Sequence, residues 1–324
     1  MKAARGHRHG IPDPAIAAID RGMRVLLWSF VGLIMTACLQ AIIVAFTGSV
    51  ALLADTLHNF ADAATSIPLG IAFALARLRP NRRFPYGYGR AEDLAGVLIV
   101  LTILGSAVIV GYQSILRLLR PEPITYLWAV AGASVVGFVG NEAVALFRIK
   151  VGREIGSAAL VAEGYHARAD GLTSLAVLGG AAGVWMGYPA ADPAIGLLIT
   201  LVILRLVWQS GRTVFTRLLD GVEPAILEAA EHAARHVAGV RKLGEVRARW
   251  LGHRLLLELN VAVDAGLSVT EGHRVAKEVR HQILHHLPHV SGVTVHVDPA
   301  TEIGEAFHRI EAHAHDGLSV HSHG

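Results

Sequence analysis

The chain is poor in cysteine and in charge. Cys38 is its only cysteine in 324 residues and lies in an apolar run, so neither an intrachain disulfide framework nor a multi-thiolate metal site can form. Charged residues make up 17%, against about 25% in soluble domains. No His-Glu-x-x-His pair and no nucleophile motif occurs, which argues against a hydrolase. The Lys and Arg residues cluster at the ends of apolar segments instead of forming one basic stripe, so the composition does not point to nucleic acid. At the N-terminus, "MKAARGHRHGIPDPAIAAIDRGMR" has no apolar core directly after its basic residues. It does not read as a cleaved secretory signal, and the first apolar segment is expected to remain in the mature protein.

Apolar sequence is abundant. Hydrophobic residues reach 53% and the mean hydropathy is +0.47, a membrane-protein composition. A helix needs about 20 mostly apolar residues to cross a bilayer. Six segments qualify, near residues 24–46, 50–76, 91–117, 125–147, 157–187 and 192–216. Basic clusters "RGMR", "RLRPNRR", "RIKVGR" and "RTVFTR" fall on one side, while the other side carries "TGS", "RPEPITY" and "YPAADP". The positive-inside rule then puts both termini in the cytoplasm, with Arg117 and Arg120 alone weakening the bias. The expected setting is a bacterial inner membrane.

After residue 220 the composition becomes soluble. "PAILEAAEHAARHV" reads as a helix, "KLGEVRARWLG" and "HRLLLELNVAVD" as strands, "SVTEGHRVAKEVRHQILHHL" as an amphipathic helix and "GVTVHVD" as a last strand. The order αββαβ predicts a small ferredoxin-like, metallochaperone-like domain. The expected division is a cytosolic segment at 1–23, a six-helix membrane domain at 24–217, the αββαβ domain at 218–299 and a flexible His-rich tail at 300–324. The tail's His313, His315, His321 and His323, with His7 and His9 near the other end, could collect metal only loosely. His232 and His236 are four residues apart, and an exposed polar face of their helix accounts for both.

One pattern interrupts the apolar sequence twice. Residues 54–62 read "ADTLHNFAD" and residues 162–170 read "AEGYHARAD". On a helix, residues four apart share a face, so His58 with Asp62, and His166 with Asp170, each offer an imidazole and a carboxylate from one side. Four such ligands suit tetrahedral Zn²⁺. Ionisable groups within a bilayer are expensive, and a divalent cation supplies the missing counter-charge. Metal binding needs neutral imidazole and ionised carboxylate, so metal and protons compete for the same four side chains. Asp55 and Glu163, three residues before each histidine, lie about 60° round the same helices and are candidates to orient the imidazoles, or else to line the cavity or pair with loop arginines.

These motifs, with "SVALLADTLHNFAD", "PYGYGRAE", "GYHARADGLTSLAV", "LLDGVEP" and "HVDP" in order from about residue 24 to 298, resemble the cation diffusion facilitators, a family of divalent-metal antiporters. The resemblance implies transport of Zn²⁺ through His58, Asp62, His166 and Asp170, with Cd²⁺ or Co²⁺ as alternatives and protons as counter-substrate. It also implies a homodimer formed through the cytosolic domain within membrane lipid, and a salt bridge between Arg90 and Asp220 tying the domains together.

Two family features depart from the pattern. Where relatives carry a His-Pro-Tyr-Gly-His-Gly loop, this chain has Phe84 and Tyr88 at the histidine positions, so no loop metal site is expected. The family's regulatory metal positions carry over as His273, His296 and Asp298, with Glu258 and Gly244 replacing two histidines, an incomplete set. A membrane-bound metal sensor and a membrane metalloenzyme are the competing readings; catalytic zinc usually keeps an open position, which four ligands would fill. By the resemblance, His58→Asp is expected to widen selectivity from zinc towards cadmium. Parallel flux measurements of the two ions in proteoliposomes check it, and an unchanged ratio would count against the metal-site assignment.

Overall fold

The computed structural model describes residues 14–47, 66–119, 127–188 and 190–301. Its described helices are α1 (Pro14–Thr47), α2 (Ser66–Ala76), α3 (Arg90–Leu119), α4 (Leu127–Ile155), α5 (Ala158–Trp185), α6 (Ala191–Leu218), α7 (Pro224–Arg235) and α8 (Val269–His286). Three strands follow α7: β1 (Lys242–Leu251), β2 (Arg254–Val263) and, after α8, β3 (Val290–Pro299). The chain forms two compact units, Met1–Gly221 with Trp250–Arg254, and Val222–Arg249 with Leu255–Gly324.

Four described helices are long and apolar enough to cross a membrane, at Ile16–Ile42, Arg90–Leu119, Ala131–Ile155 and Ala191–Leu218. The outward faces of these helices are apolar: Leu98, Leu101, Val108 and Tyr112 of α3 are all exposed, a surface that suits lipid better than water. The expected second span is described only in its last part, α2; the remainder lies outside the described residues. The expected fifth span is α5, 28 residues long, whose Glu163, His166, Arg168 and Asp170 lower its hydropathy. It packs against α4, α6, α3 and α2, so neighbouring helices shelter polar groups that lipid would reject.

Helix limits differ from those expected. The "RIKVGR" stretch, read from sequence as a loop, is helical, and α4 runs on to Ile155. What ends it is Gly156, at φ +74°, a left-handed conformation that only glycine takes readily. Ser157 then caps α5, its hydroxyl accepting from the Leu160 N–H at 3.1 Å. A two-residue turn thus lays α5 directly along α4. Likewise α1 begins at Pro14, ten residues before the expected span, and buries Ile19 completely.

The soluble unit has the element order α7-β1-β2-α8-β3. Its sheet order is β1-β2-β3, with β3 parallel to β2; a parallel neighbour needs a crossover, which α8 supplies. Leu255, Leu257, Leu259, Val261 and Val263 alternate along β2 and are each at most 5% exposed, so one sheet face is core. α8 packs on β3 and on α7. Its start is held by a capping box between Ser268 and Glu271, which satisfies two otherwise orphaned donors.

The α4–α5 seam depends on Gly164, where an added Cβ would lie 2.6 Å from Ile149 Cγ1 and 3.0 Å from the Ile149 nitrogen. Gly164→Ala is expected to destabilise the protein by about 1–3 kcal/mol through overpacking. Gly105→Ala, with nothing within 4 Å, should be neutral or mildly stabilising. Thermal unfolding in detergent checks both, and equal losses would overturn the close-approach account.

Candidate metal site in the membrane unit

Helix periodicity places His166 and Asp170 one turn apart on α5. They are 1% and 5% exposed, with Nε2 3.9 Å from Oδ2. One imidazole and one carboxylate are therefore brought together in the bundle interior. Asp55, His58 and Asp62 lie outside the described residues.

A buried charge network flanks this pair. Arg148 of α4 is 1% exposed and Glu163 of α5 is 0% exposed. The guanidinium donates to Glu163 Oε1 at 3.0 Å and, through its second nitrogen, to the Ser66 hydroxyl at 2.8 Å. That hydroxyl donates to the same Glu163 oxygen at 3.0 Å. Three helices, α2, α4 and α5, are thus tied by one ionic triad. Of the two roles open to Glu163, orienting the imidazole or pairing with an arginine, the structure shows an arginine pair, with Arg148, and adds the Ser66 hydroxyl. Arg148 belongs to the "RIKVGR" cluster, but as a buried residue of α4 it is not one of the loop charges that set orientation. The detectable signal was Gly156-Ser157, which marks the helix end two turns beyond Arg148.

The neighbouring charges are also matched. Arg168 grips Glu142 with two hydrogen bonds of 2.6 and 3.1 Å, a bidentate geometry that is stronger than a single contact. The Tyr165 hydroxyl accepts from Gln209 at 3.0 Å. Arginine pairs therefore balance Glu142 and Glu163, and Asp170 sits beside His166.

At the start of α3 a second cluster forms within the membrane unit. Arg90 pairs with Asp220 and also donates to the Arg217 carbonyl at 3.1 Å. Asp220 has φ +60°, so its backbone turns sharply after α6. Glu92 and Asp93 are buried: Glu92 Oε2 lies 2.8 Å from His253 Nδ1, and Asp93 accepts from the Gly252 N–H at 3.3 Å. Arg217 stacks over the Trp250 ring at 4.0 Å, a cation–π contact. The 84–88 loop is closed by its own aromatics, Phe84 and Tyr88 at 4.7 Å between ring centroids, with Tyr88 accepting from Asn81 at 2.9 Å.

The residues expected in a soluble-domain site are partly assembled. His296 Nε2 lies 2.9 Å from Asp298 Oδ1, as residues two apart on one strand face allow. His273 of α8 lines the same cavity as Asp298, about 450 Å³. Glu258 is half exposed and lies 3.7 Å from Arg249. Among the described residues no group of three or more His, Cys, Asp or Glu side chains is gathered to hold a metal ion. The terminal histidines His7, His9, His313, His315, His321 and His323 lie outside the described residues.

Comparison with known proteins covers both units. A family model described as the cation efflux transmembrane domain matches residues 26–219, and one described as the cation efflux protein cytoplasmic domain matches residues 222–300. The probable cation efflux system protein Rv2025c of Mycobacterium tuberculosis (strain ATCC 25618 / H37Rv) is 49% identical over 288 residues, covering 89% of this chain and 87% of the relative. The magnetosome protein MamB of Paramagnetospirillum magneticum is 28% identical over 281 residues, covering 85% and 94%. The manganese efflux system protein MneP of Bacillus subtilis is 25% identical over 263 residues, covering 78% and 88%.

Removing one partner of a buried ion pair strands the other and typically costs about 3–5 kcal/mol, whereas replacing both is far milder. Arg148→Met should therefore destabilise strongly, and Arg148→Met with Glu163→Gln should recover much of the loss. Thermal unfolding in detergent measures the cycle; a double variant as unstable as the sum of the singles would dissolve the pairing argument.

Proposed function

The chain belongs to the cation diffusion facilitator family, whose members are membrane transporters of metal cations and not enzymes, and from that premise we propose that it exports Zn²⁺ from the cytoplasm in exchange for protons. The observation that carries the proposal is the buried His166–Asp170 pair on α5. An imidazole and a carboxylate one helical turn apart are two donor types that a divalent cation such as Zn²⁺ accepts. The second half of the site is assigned to His58 and Asp62, which repeat the same spacing in the sequence.

Donor chemistry favours zinc. Imidazole suits Zn²⁺, whereas Mg²⁺, Ca²⁺ and Mn²⁺ prefer carboxylate, carbonyl and water oxygens; two imidazoles with two carboxylates are an ordinary tetrahedral zinc set. Manganese efflux is named for the relative MneP, and that name does not decide the ion here. Cd²⁺ and Co²⁺ are compatible with the same donors. Exchange follows from competition, because each ligand that accepts a proton is lost to the metal. Alternating access then requires that the site face the cytoplasm when it takes the ion and the opposite side when protons displace it. A homodimer associating through the cytoplasmic domain, with both termini cytoplasmic, completes the arrangement.

Zinc flux and internal pH should be followed together in proteoliposomes. Wild type is expected to couple zinc movement to opposing proton movement and to respond to an imposed pH gradient. His166→Ala or Asp170→Asn should reduce zinc flux by about tenfold or more, since even outer partners of metal ligands are worth about 10–100-fold in affinity. Zinc flux indifferent to the pH gradient would refute exchange, and faster manganese than zinc flux would refute the metal assignment.

A further inference from the structure

The soluble unit holds a second set of metal-competent side chains that the transport reading leaves unused. Between α7 and α8 lies a cleft of about 510 Å³ lined by His232 and His236 from one side and Glu278, Gln282 and His286 from the other. Each side repeats a four-residue step: 232 and 236 along the end of α7, then 278, 282 and 286 along α8. Residues four apart share a helix face, so two ladders of donors meet across one groove. The His232 and His236 ring centroids are 4.2 Å apart.

Hydrogen bonding decides which nitrogens are available. His236 Nδ1 lies 2.7 Å from the His232 carbonyl, and His286 Nδ1 lies 2.8 Å from the Gln282 carbonyl. A carbonyl oxygen can only accept, so each Nδ1 carries the proton. In a neutral imidazole this leaves the lone pair on Nε2, which is the tautomer a metal-binding histidine presents when its other nitrogen donates to a carbonyl. The Gln282 amide donates to Glu278 Oε1 at 2.7 Å, which orients that carboxylate along the same ladder.

We propose that this cleft is a separate divalent-metal site, formed by His232, His236 and His286 with Glu278, for Zn²⁺ or the other imidazole-seeking ions Co²⁺, Ni²⁺ and Cu²⁺. It shares no lining residue with the cavity of His273 and Asp298, and it does not depend on which ion is transported. The side chains are not drawn around one point as they stand. All four are exposed, and exposed side chains change rotamer in picoseconds to nanoseconds, so the donors are free to re-orient about the cleft. The bound ion would bridge α7 and α8, and any ligand that binds the folded state alone stabilises it by mass action.

Equilibrium dialysis of Zn²⁺ against the full chain in detergent tests the site, with wild type compared to His232→Gln/His236→Gln, His286→Gln and His296→Ala/Asp298→Ala. The first variant is expected to lose one zinc equivalent per chain, His286→Gln to bind that equivalent more weakly, and the last to retain it. Co²⁺ titration should give the matching result, a visible d–d band that shrinks in the first two variants. Unchanged zinc stoichiometry and affinity in His232→Gln/His236→Gln, with circular dichroism showing an intact fold, would overturn the proposal. So would loss of the same equivalent in His296→Ala/Asp298→Ala, because the ion would then belong to the other cavity.

Discussion

Charge inside a lipid-facing helix bundle must find a partner, and the arrangement around α5 follows from that constraint. Arg148 and Glu163 are both sealed from solvent, and Ser66 bonds to each. Isolated, either charge would be among the most expensive groups in the protein. Their contact requires α4 and α5 to lie nearly backbone to backbone, which is what the turn at Gly156 and the missing side chain of Gly164 allow. The triad thereby fixes the helix that carries His166 and Asp170. One turn along α5 from Glu163 lies His166, with Asp170 a further turn on and its Oδ2 3.9 Å from the imidazole.

The base of α3 shows the same rule under milder conditions. Arg90 is shared among Asp220, Asp93 and the final carbonyls of α6, where a cation also complements the helix dipole. Glu92 faces His253, and Arg217 lies on Trp250. Residues 250–254, which comprise the end of β1, the turn and the first residue of β2, belong to the membrane unit. Their buried polar contacts explain why so short a segment groups with the helices.

Polarity in the soluble unit is distributed differently. Its sheet buries one face of β2 through alternating leucine and valine, leaving Glu258, Asn260 and His296 on the other face by register. Water can solvate these groups, so burial does not make their pairing compulsory. Histidines therefore recur at several places in this unit without forming a closed cluster among the described residues, and the α7–α8 cleft is distinguished by the hydrogen bonds that orient its rings.

Much was legible in the sequence because it is local. The repeated acid-x-x-His-x-x-x-Asp spacing identified His166 and Asp170 as neighbours on one helix face, a consequence of 3.6-residue periodicity alone. Alternation along β2 and the amphipathic pattern of α8 located the αββαβ elements within a few residues. What could not be read was long-range. Arg148 lies in a stretch that reads as a loop, and only the helix end at Gly156 shows it to be inside the bundle; spacing leaves Glu163 either to orient an imidazole or to pair with an arginine, and its partners Arg148 and Ser66 come from 15 and 97 residues away. Periodicity determined which side chains share a face; only tertiary packing decided which faces meet, because burial makes pairing compulsory while the choice of partner depends on where distant helices cross.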